Sequence, residues 1–421
     1  MDGRTQVARM QRITGVAGVL ALLLSAAACQ RHGPPPAPAA QPHAVRDVAP
    51  VQYASERGAY QVQVRVAGLQ HPWSLAFLPG GDALVTERPG RLRRIGTDGR
   101  VSAPIGGVPA VHAQGQAGLL DVLPSPGFAR DRTVFLAFCE PNLRGNLCGT
   151  AVARARLEGD ALREVRVIYR QAPKASAGTH VGGRLVFDAQ GHLYVTQGDN
   201  RTTPEAAQQL DRLQGKLVRI DADGGIPRDN PFVGRDDARP EIWSLGHRNI
   251  QGAAVHPDSG RVWTSEHGPM GGDELNIPQA GGNYGWPLAT SGLDYSGAPV
   301  PGSVGASAPG TQPPHHVWAR SPALSGMLFY TGAAFPQWRG NLFLGALASG
   351  ELIRLDLDGD RIVHEERLLR GRGQRIRDVR QGPDGALYVL TDEEDGKLLR
   401  IAPVPGVAGS VPASAPPGRS R

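Results

Sequence analysis

Residues 182–199 read GGRLVFDAQGHLYVTQGD: an apolar strand, an Asp/Gly turn and an alternating second strand that ends in an acidic residue. Such a turn supplies the positive-φ and Asx geometry that a β-hairpin needs. The unit recurs, in two cases degenerately, at five further starts: Trp73, Gly118, Ile250, Gly326 and Ile376. Radial blades bury a common core, so the repeat predicts an all-β fold, a six-bladed β-propeller with four-stranded antiparallel blades.

Composition agrees with a turn-rich β fold and argues against one class of partner. The chain has 421 residues with Gly 56 and Pro 36, as expected for short strands joined by frequent turns. The net charge is +6, but no Lys/Arg run with interleaved aromatic residues occurs. Nucleic acid is therefore not expected as a partner, despite the basic character of the chain.

The N-terminus has the layout of a targeting segment. Basic residues up to Arg12 precede an apolar run, residues 13–24, and small residues then lead to Cys29. Residues 1–28 are therefore predicted to be a signal peptide that directs export to the periplasm or cell envelope. Cys29 also resembles a lipoprotein cleavage site, although Ala26 stands where such sites usually carry leucine. Lipidation with membrane anchoring and plain secretion with a free thiol both remain open.

The remaining segments divide by composition. Residues 29–58 are rich in Pro and Ala and are predicted to be an extended linker. Residues 59–403 form the predicted propeller, and residues 404–421 a flexible tail. Within the propeller, Cys139 and Cys148 flank EPNLRGNL, a spacing that favours a disulfide in an oxidising compartment, with two buried thiols as the alternative.

Six motifs in order resemble one family over essentially the whole globular part: the soluble pyrroloquinoline-quinone (PQQ)-dependent sugar dehydrogenases, particularly the periplasmic aldose sugar dehydrogenase branch. The motifs are GQAGLLDV (115–122), THVGGRL (179–185), GHRNIQG (246–252), SEHGPMGGDELN (265–276), GGNYGWP (281–287) and RIRDVRQGPDGALYVLTDE (375–393). A single motif would be a weak signal, whereas six in order are a strong one.

The resemblance implies a catalytic pair. His180 would be the general base that removes the proton from the anomeric hydroxyl of the sugar, which suits an imidazole with a pKa near working pH. Arg377 would stabilise the negative charge that develops on the reduced quinone. Asp199 would lie near His180, and its alternative role is a turn-capping carboxylate.

The resemblance also implies contacts with PQQ, which carries three carboxylates that guanidinium forks bind well. The implied cofactor residues are Gln116, Asp199, Arg248, Asn249, Tyr295, Arg375 and Arg377. At Ala348 the chain departs from the family, which usually has a lysine there that would contact a cofactor carboxylate. Its absence predicts weaker cofactor binding, unless a nearby arginine such as Arg354 compensates.

Two Ca²⁺ sites are implied in the same way. The backbone oxygens of Gly268 and Pro269 would hold a Ca²⁺ that also binds the quinone and polarises its carbonyl. Glu274 and Tyr284 match positions of a second, structural Ca²⁺, with Asp273 adjacent.

The expected activity is PQQ- and calcium-dependent oxidation of aldoses to lactones, with electrons passed on to a soluble or membrane acceptor. A monomer and a homodimer are both compatible with the sequence. Two alternatives are a calcium-dependent lactonase, which needs a central cluster of Glu, Asn and Asp ligands, and a non-enzymatic, envelope-anchored binding module. The module predicts that no quinone binds and that His180 is dispensable.

Overall fold

The computed structural model describes residues 41–46, 48–176 and 178–406. The predicted signal peptide, Cys29 and all of the tail beyond residue 406 lie outside this part of the chain. Within it, no helix is both long and apolar enough to cross a membrane.

The strands form six antiparallel sheets arranged as the repeat predicts. Three N-terminal strands come first: β1 (His43–Ala44), β2 (Val51–Tyr53) and β3 (Tyr60–Leu69). Blade 1 follows: β4 (Pro72–Phe77), β5 (Ala83–Glu87) and β6 (Arg91–Ile95). Blade 2 is next: β7 (Leu119–Pro124), β8 (Thr133–Pro141), β9 (Cys148–Glu158) and β10 (Ala161–Arg170). Blade 3 is next: β11 (Leu185–Phe187), β12 (Leu193–Thr196), β13 (Lys216–Ile220) and β14 (Ile242–Leu245).

The second half of the chain supplies the other three blades. Blade 4 contains β15 (Ile250–Val255), β16 (Val262–Glu266), β17 (Asp273–Asn276) and β18 (His316–Trp318). Blade 5 contains β19 (Leu324–Phe329), β20 (Leu342–Ala346), β21 (Leu352–Asp358) and β22 (Arg361–Leu368). Blade 6 contains β23 (Ile376–Gln381), β24 (Leu387–Thr391) and β25 (Gly396–Pro403). Helices are short: α1 (Phe128–Asp131) and two 3-10 helices, Pro204–Gln208 and Pro336–Trp338.

Blade 6 is completed by strands from the start of the propeller. β25 pairs with β3 in a register that places Ile401 opposite Val62. β1 and β2 also pair with β3, so part of the predicted linker is in strands. Blade 1 has three strands in its sheet, with Val101 adding an isolated bridge to Ile95. Each innermost strand begins within three residues of the predicted start of its unit, and the six-bladed fold is confirmed.

The apolar core is divided among the blade interfaces. Each pair of neighbouring blades has a cluster of buried apolar residues between its two members, and the largest of these six clusters lies between blades 2 and 3. This follows from strand alternation, since every blade buries one face against each neighbour. Near the central axis a buried Arg184 contacts Asp121 of blade 2 at 3.2 Å and Asp378 of blade 6 at 3.3 Å. Ion pairs therefore join blades that are far apart in sequence.

The predicted disulfide is wrong. Cys139 and Cys148 are buried free thiols, which was the alternative interpretation. Cys139 pairs with Thr150 across β8 and β9, so Cys148 occupies a diagonal position two residues away. The two thiols interact without a bond between them: burial raises the pKa of Cys139, and the hydrogen bond from Cys139 lowers the pKa of Cys148 to about 7.

Candidate functional site

A cavity of about 470 Å³ lies where the blades converge, and it contains three of the predicted site residues. These three are Gln116, Arg375 and Arg377. The remaining lining residues are His71, Trp73, Arg88, Val181, Gln251, His267, Ala323, Leu347 and Asp392. Every blade or the segment leading into it contributes to this list, as convergence on a propeller axis requires.

Arg377 is buried and held rigidly in the cavity wall. Its guanidinium donates to Asp392 Oδ2 at 2.6 Å and to Gln251 Oε1 at 2.9 Å. Asp392 Oδ1 also lies 3.0 Å from His71 Nδ1. Burial opposes ionisation of Asp392, but the charge of Arg377 and the hydrogen bonds from His71 and Arg377 keep its pKa well below the usual range. Asp392 is therefore an anion that neutralises Arg377.

Two further guanidiniums at the cavity lack such a partner. Arg88 donates to the carbonyl of Gly115, and Arg375 donates to the carbonyl of Leu347 at 3.1 Å. Among the described residues, no carboxylate lies within 4.0 Å of either guanidinium. Burial and the like charges of Arg377 and Arg375 lower the pKa of Arg88 despite the opposing charge of Asp392. The cavity therefore contains more positive than negative charge, which favours an anionic ligand.

His180 lies beside this cavity with its imidazole held by a carboxylate. Nδ1 lies 2.7 Å from Asp199 Oδ1, and the backbone N–H donates to Gln116 Oε1 at 2.9 Å. Its φ of 46° is unusual for a residue other than glycine, as expected where the fold constrains a functional side chain. Burial lowers the pKa of His180 even though the hydrogen bond to Asp199 opposes this, and the charge of Arg248 lowers it further. The imidazole is thus neutral near pH 7 and able to accept a proton.

Asp199 contacts both His180 and the turn that follows β12. Oδ1 accepts the backbone N–H of Arg201 at 2.7 Å, which caps the turn, while it also faces His180. Oδ2 accepts the indole N–H of Trp286 at 2.8 Å. Because Asp199 faces Nδ1, the Nε2 atom of His180 is the nitrogen left to meet a substrate.

The glycines after His180 are required by close packing. A Cβ at Gly182, where φ is +62°, would lie 2.6 Å from the carbonyl oxygen of Thr196. A Cβ at Gly183 would overlap the side chain of Leu120 in blade 2. Only glycine allows this segment to enter blade 3 so close to its neighbours.

The predicted pair Arg248 and Asn249 contacts the segments around His180: the Asp199 N–H donates to the Arg248 carbonyl at 2.9 Å, and the Gly182 N–H donates to Asn249 Oδ1 at 3.2 Å. Arg248 donates to the carbonyl of Gly268 at 2.6 Å and reaches the hydroxyl of Tyr295 at 3.5 Å. Tyr295 is 60% exposed, so it forms the rim rather than the floor of the site. Asn249 accepts from Gln251 at 3.1 Å, but its buried Nδ2 donates to no described residue. A buried amide without a partner is costly, which is consistent with a site that a ligand completes.

Three of the four predicted metal positions line a small recess that Arg248 also lines, whereas Pro269 is not among its lining residues. The recess contains Gly268, Glu274 and Tyr284 in its wall, together with Glu266. Burial and the charge of Glu266 raise the pKa of Glu274 to about 8, so two carboxyl groups crowd one site. The hydroxyl of Tyr284 donates to the Ile277 carbonyl at 2.9 Å and accepts the backbone N–H of Gln279 at 3.1 Å. No group of three or more His, Cys, Asp or Glu side chains suited to a metal occurs in the described part of the chain.

Arg354, the residue suggested to compensate for Ala348, is not among the residues that line the cavity. Ala348 is exposed next to Leu347, which lines the cavity. Arg354 is fully buried elsewhere in blade 5, where it donates to Glu366 at 2.8 Å and to Asn341 at 2.6 Å. Its guanidinium is occupied there, so it does not contribute to the cavity.

Sequence reasoning missed five polar residues of the cavity: His71, Arg88, Gln251, His267 and Asp392. A signal for two of them was present, since four of the six inner hairpins end in an acidic residue. In the structure these four residues are all buried and each accepts from a basic side chain or a backbone N–H: Glu87, Asp199, Glu266 and Asp392. Asp392 ends such a hairpin and Arg88 directly follows another. The shared position could have marked both as part of the site.

Comparisons with known proteins agree with one another. Residues 69–400 match the family model described as Glucose / Sorbosone dehydrogenase. The chain is 51% identical over 345 residues to Aldose sugar dehydrogenase YliI of Escherichia coli, covering 81% of this chain and 92% of that protein. It is similar to the crystal structure of the soluble E. coli aldose sugar dehydrogenase in the apo-form (TM-score 0.80, 50% identity, 82% and 100% covered). It is also similar to the PQQ-bound aldose sugar dehydrogenase of Streptomyces coelicolor (TM-score 0.67, 28% identity, 81% and 98% covered).

Proposed function

Because the chain belongs to the glucose/sorbosone dehydrogenase family, we propose that it is a PQQ-dependent enzyme that oxidises aldose sugars to lactones. One observation carries the proposal: a cavity with an excess of guanidinium groups adjoins a histidine whose second nitrogen faces a carboxylate. PQQ is a flat tricarboxylate, and bidentate guanidinium contacts are the expected means of holding it.

The residues present fit such a ligand. Arg375 and Arg88 each have donors left after a single backbone contact, and both would face cofactor carboxylates. Arg377 has a buried Nε without a partner in the described structure, and Asn249 has an unpaired amide N–H. These orphan donors, together with Gln116, would hold the carbonyl and carboxylate oxygens of the cofactor. When bound, PQQ would supply the two-electron acceptor for hydride from the anomeric carbon.

His180 would act as the base in this reaction. Its Nε2 would take the proton of the anomeric hydroxyl, while Asp199 keeps the proton on Nδ1 and stabilises the resulting imidazolium. Arg377 would contribute a fixed positive charge where negative charge develops on the acceptor, and Asp392 holds that guanidinium in place. Both groups are buried and already oriented, so little reorganisation would accompany the chemical step.

Calcium dependence is part of the proposal, with different support at the two sites. The carbonyl oxygen of Gly268 accepts a hydrogen bond from Arg248. A carbonyl has two lone pairs, so this oxygen could also face Ca²⁺. Near Glu274, two crowded carboxyl groups would be stabilised by a cation, which would keep both ionised. The proposed ligands remain Gly268 and Pro269 at the first site and Glu274 and Tyr284 at the second.

We also propose export to the periplasm through residues 1–28, with Cys29 either lipidated or free. The propeller domain is proposed to span residues 59–403, extended by the strands at His43–Ala44 and Val51–Tyr53. The partners proposed are an aldose and an electron acceptor, in a monomer or homodimer.

Reconstitution tests the function directly. Purified protein with Ca²⁺ and PQQ should reduce an artificial electron-accepting dye when aldoses from a sugar panel are supplied. Protein without PQQ and His180→Gln with PQQ serve as controls. Quinone binding without turnover on any sugar would refute the dehydrogenase. Absence of quinone binding, with His180 dispensable for ligand capture, would support the binding module instead.

A further inference from the structure

Trp286 connects the two sides of the site. Its indole N–H donates to Asp199 Oδ2 at 2.8 Å, and the guanidinium carbon of Arg248 lies 5.2 Å from the centre of its ring. We propose that Trp286 is a positioning residue that orients His180 through Asp199 and supports Arg248 through its ring face. This inference rests on the function proposed above.

The hydrogen bonds of Asp199 are divided in a way that makes the indole necessary. Oδ1 faces His180 and the backbone N–H of Arg201, both at 2.7 Å. Trp286 is the single donor to Oδ2 among the described residues. Without it, the buried carboxylate keeps partners on one oxygen only and can rotate about its side-chain bonds. The imidazole would then lose the fixed partner that selects its tautomer.

Trp286 is itself anchored from behind. Its carbonyl accepts from Gln208 Nε2 at 2.7 Å, and Gln208 exchanges hydrogen bonds of 2.7 and 3.0 Å with Asn283. Gln208 ends the 3-10 helix Pro204–Gln208, whose carbonyls at Ala206 and Ala207 accept from the buried ammonium of Lys216. The indole thus belongs to a rigid assembly that joins the loop after β17 to blade 3.

The charged groups that face His180 are Asp199, Arg248 and Arg201. Trp286 carries no charge, so replacing it changes none of these directly. A change in the titration of His180 would therefore report the orientation of Asp199 rather than a lost charge.

Trp286→Phe separates the two contacts, because it keeps a ring under Arg248 but removes the donor to Asp199. We expect turnover at saturating sugar to fall about tenfold or more. The titration of His180, followed by NMR of ¹³C-labelled histidine and assigned with His180→Gln, should move by roughly half a pH unit or more. The dissociation constant for PQQ should change by less than about threefold. Trp286→Leu, which also loses the ring, should weaken PQQ binding beyond that limit.

The matched control is Trp243→Phe. Trp243 also donates its indole N–H to an oxygen, the Pro278 carbonyl at 3.2 Å, and also stacks on a guanidinium, Arg219 at 4.9 Å, but lies outside the cavity. The Trp243→Phe variant should leave the His180 titration and PQQ binding unchanged. A Trp286→Phe protein whose His180 titrates as in the unaltered protein would overturn the inference. The inference would also be overturned if Trp286→Phe lost as much affinity for PQQ as Trp286→Leu. If the unaltered protein oxidises no sugar, the proposed function fails, while the NMR titration still decides the role of Trp286.

Discussion

Replacing Arg88 by alanine should weaken cofactor binding, because its guanidinium faces the cavity without a carboxylate partner. A hydrogen bond to a charged group contributes about 1.5–3 kcal/mol. Arg88 is half-buried, so water screens part of this contribution. We therefore expect the lower end of the range, which corresponds to a rise of about tenfold in the dissociation constant for PQQ. The assay is titration of PQQ into the metal-loaded apoprotein, followed by quenching of protein fluorescence.

The control for this prediction is Arg65→Ala. Arg65 is also half-buried and also donates to one backbone carbonyl, that of Thr97 at 3.3 Å, but it lies outside the cavity. Adding Ala348→Lys to Arg88→Ala should recover about threefold or more of the lost affinity, since residue 348 adjoins the cavity wall at Leu347. If Arg88→Ala and Arg65→Ala bound PQQ with the same dissociation constant, the assignment of Arg88 to the anion site would be refuted.

Three further outcomes are expected. His180→Gln should reduce turnover by roughly 10²–10⁴-fold with PQQ binding retained. Because burial lowers the pKa of His180, kcat/KM of the unaltered enzyme should stay constant as pH falls to 6.5. Loss of half of kcat/KM at a pH above 6.5 would contradict this. Since the pKa of Glu274 is raised from 4.5 to about 8, its ionisation should destabilise the metal-free fold as pH rises across this interval. Glu274→Gln should then raise Tm in EDTA at pH 8 by about 2 °C or more, with no gain at pH 4 and a smaller Ca²⁺-induced increase. Finally, Cys139→Ser and Cys148→Ser should each lower Tm equally with and without reductant, and a reductant-dependent difference would indicate a disulfide after all.

The fold was predictable because its signal is local and repeated. Each hairpin carries its own alternation and turn residues, so the six starts could be read without knowing how the blades meet. Part of the predicted linker forms β1 and β2, which are two and three residues long and too short to show a strand pattern in the sequence. They form strands because β3 offers a free edge, which composition does not reveal. The disulfide prediction was wrong because spacing in the sequence gives only the length of the loop between the cysteines, whereas the folded strands β8 and β9 hold the two thiols in contact as free groups.

For the site, the motifs around His180, Arg248 and Arg377 could be proposed from the sequence because an imidazole suits proton transfer and a guanidinium suits anion binding wherever the fold places them. Their partners were decided by the tertiary structure. Asp392 meets His71 across the junction where the propeller closes, and Trp286 meets Asp199 from a loop 87 residues away. Such contacts depend on how whole blades pack around the axis, a property that no single segment encodes. The amino-acid sequence thus determined the repeat and the reactive groups, and packing of the blades determined which groups face one another.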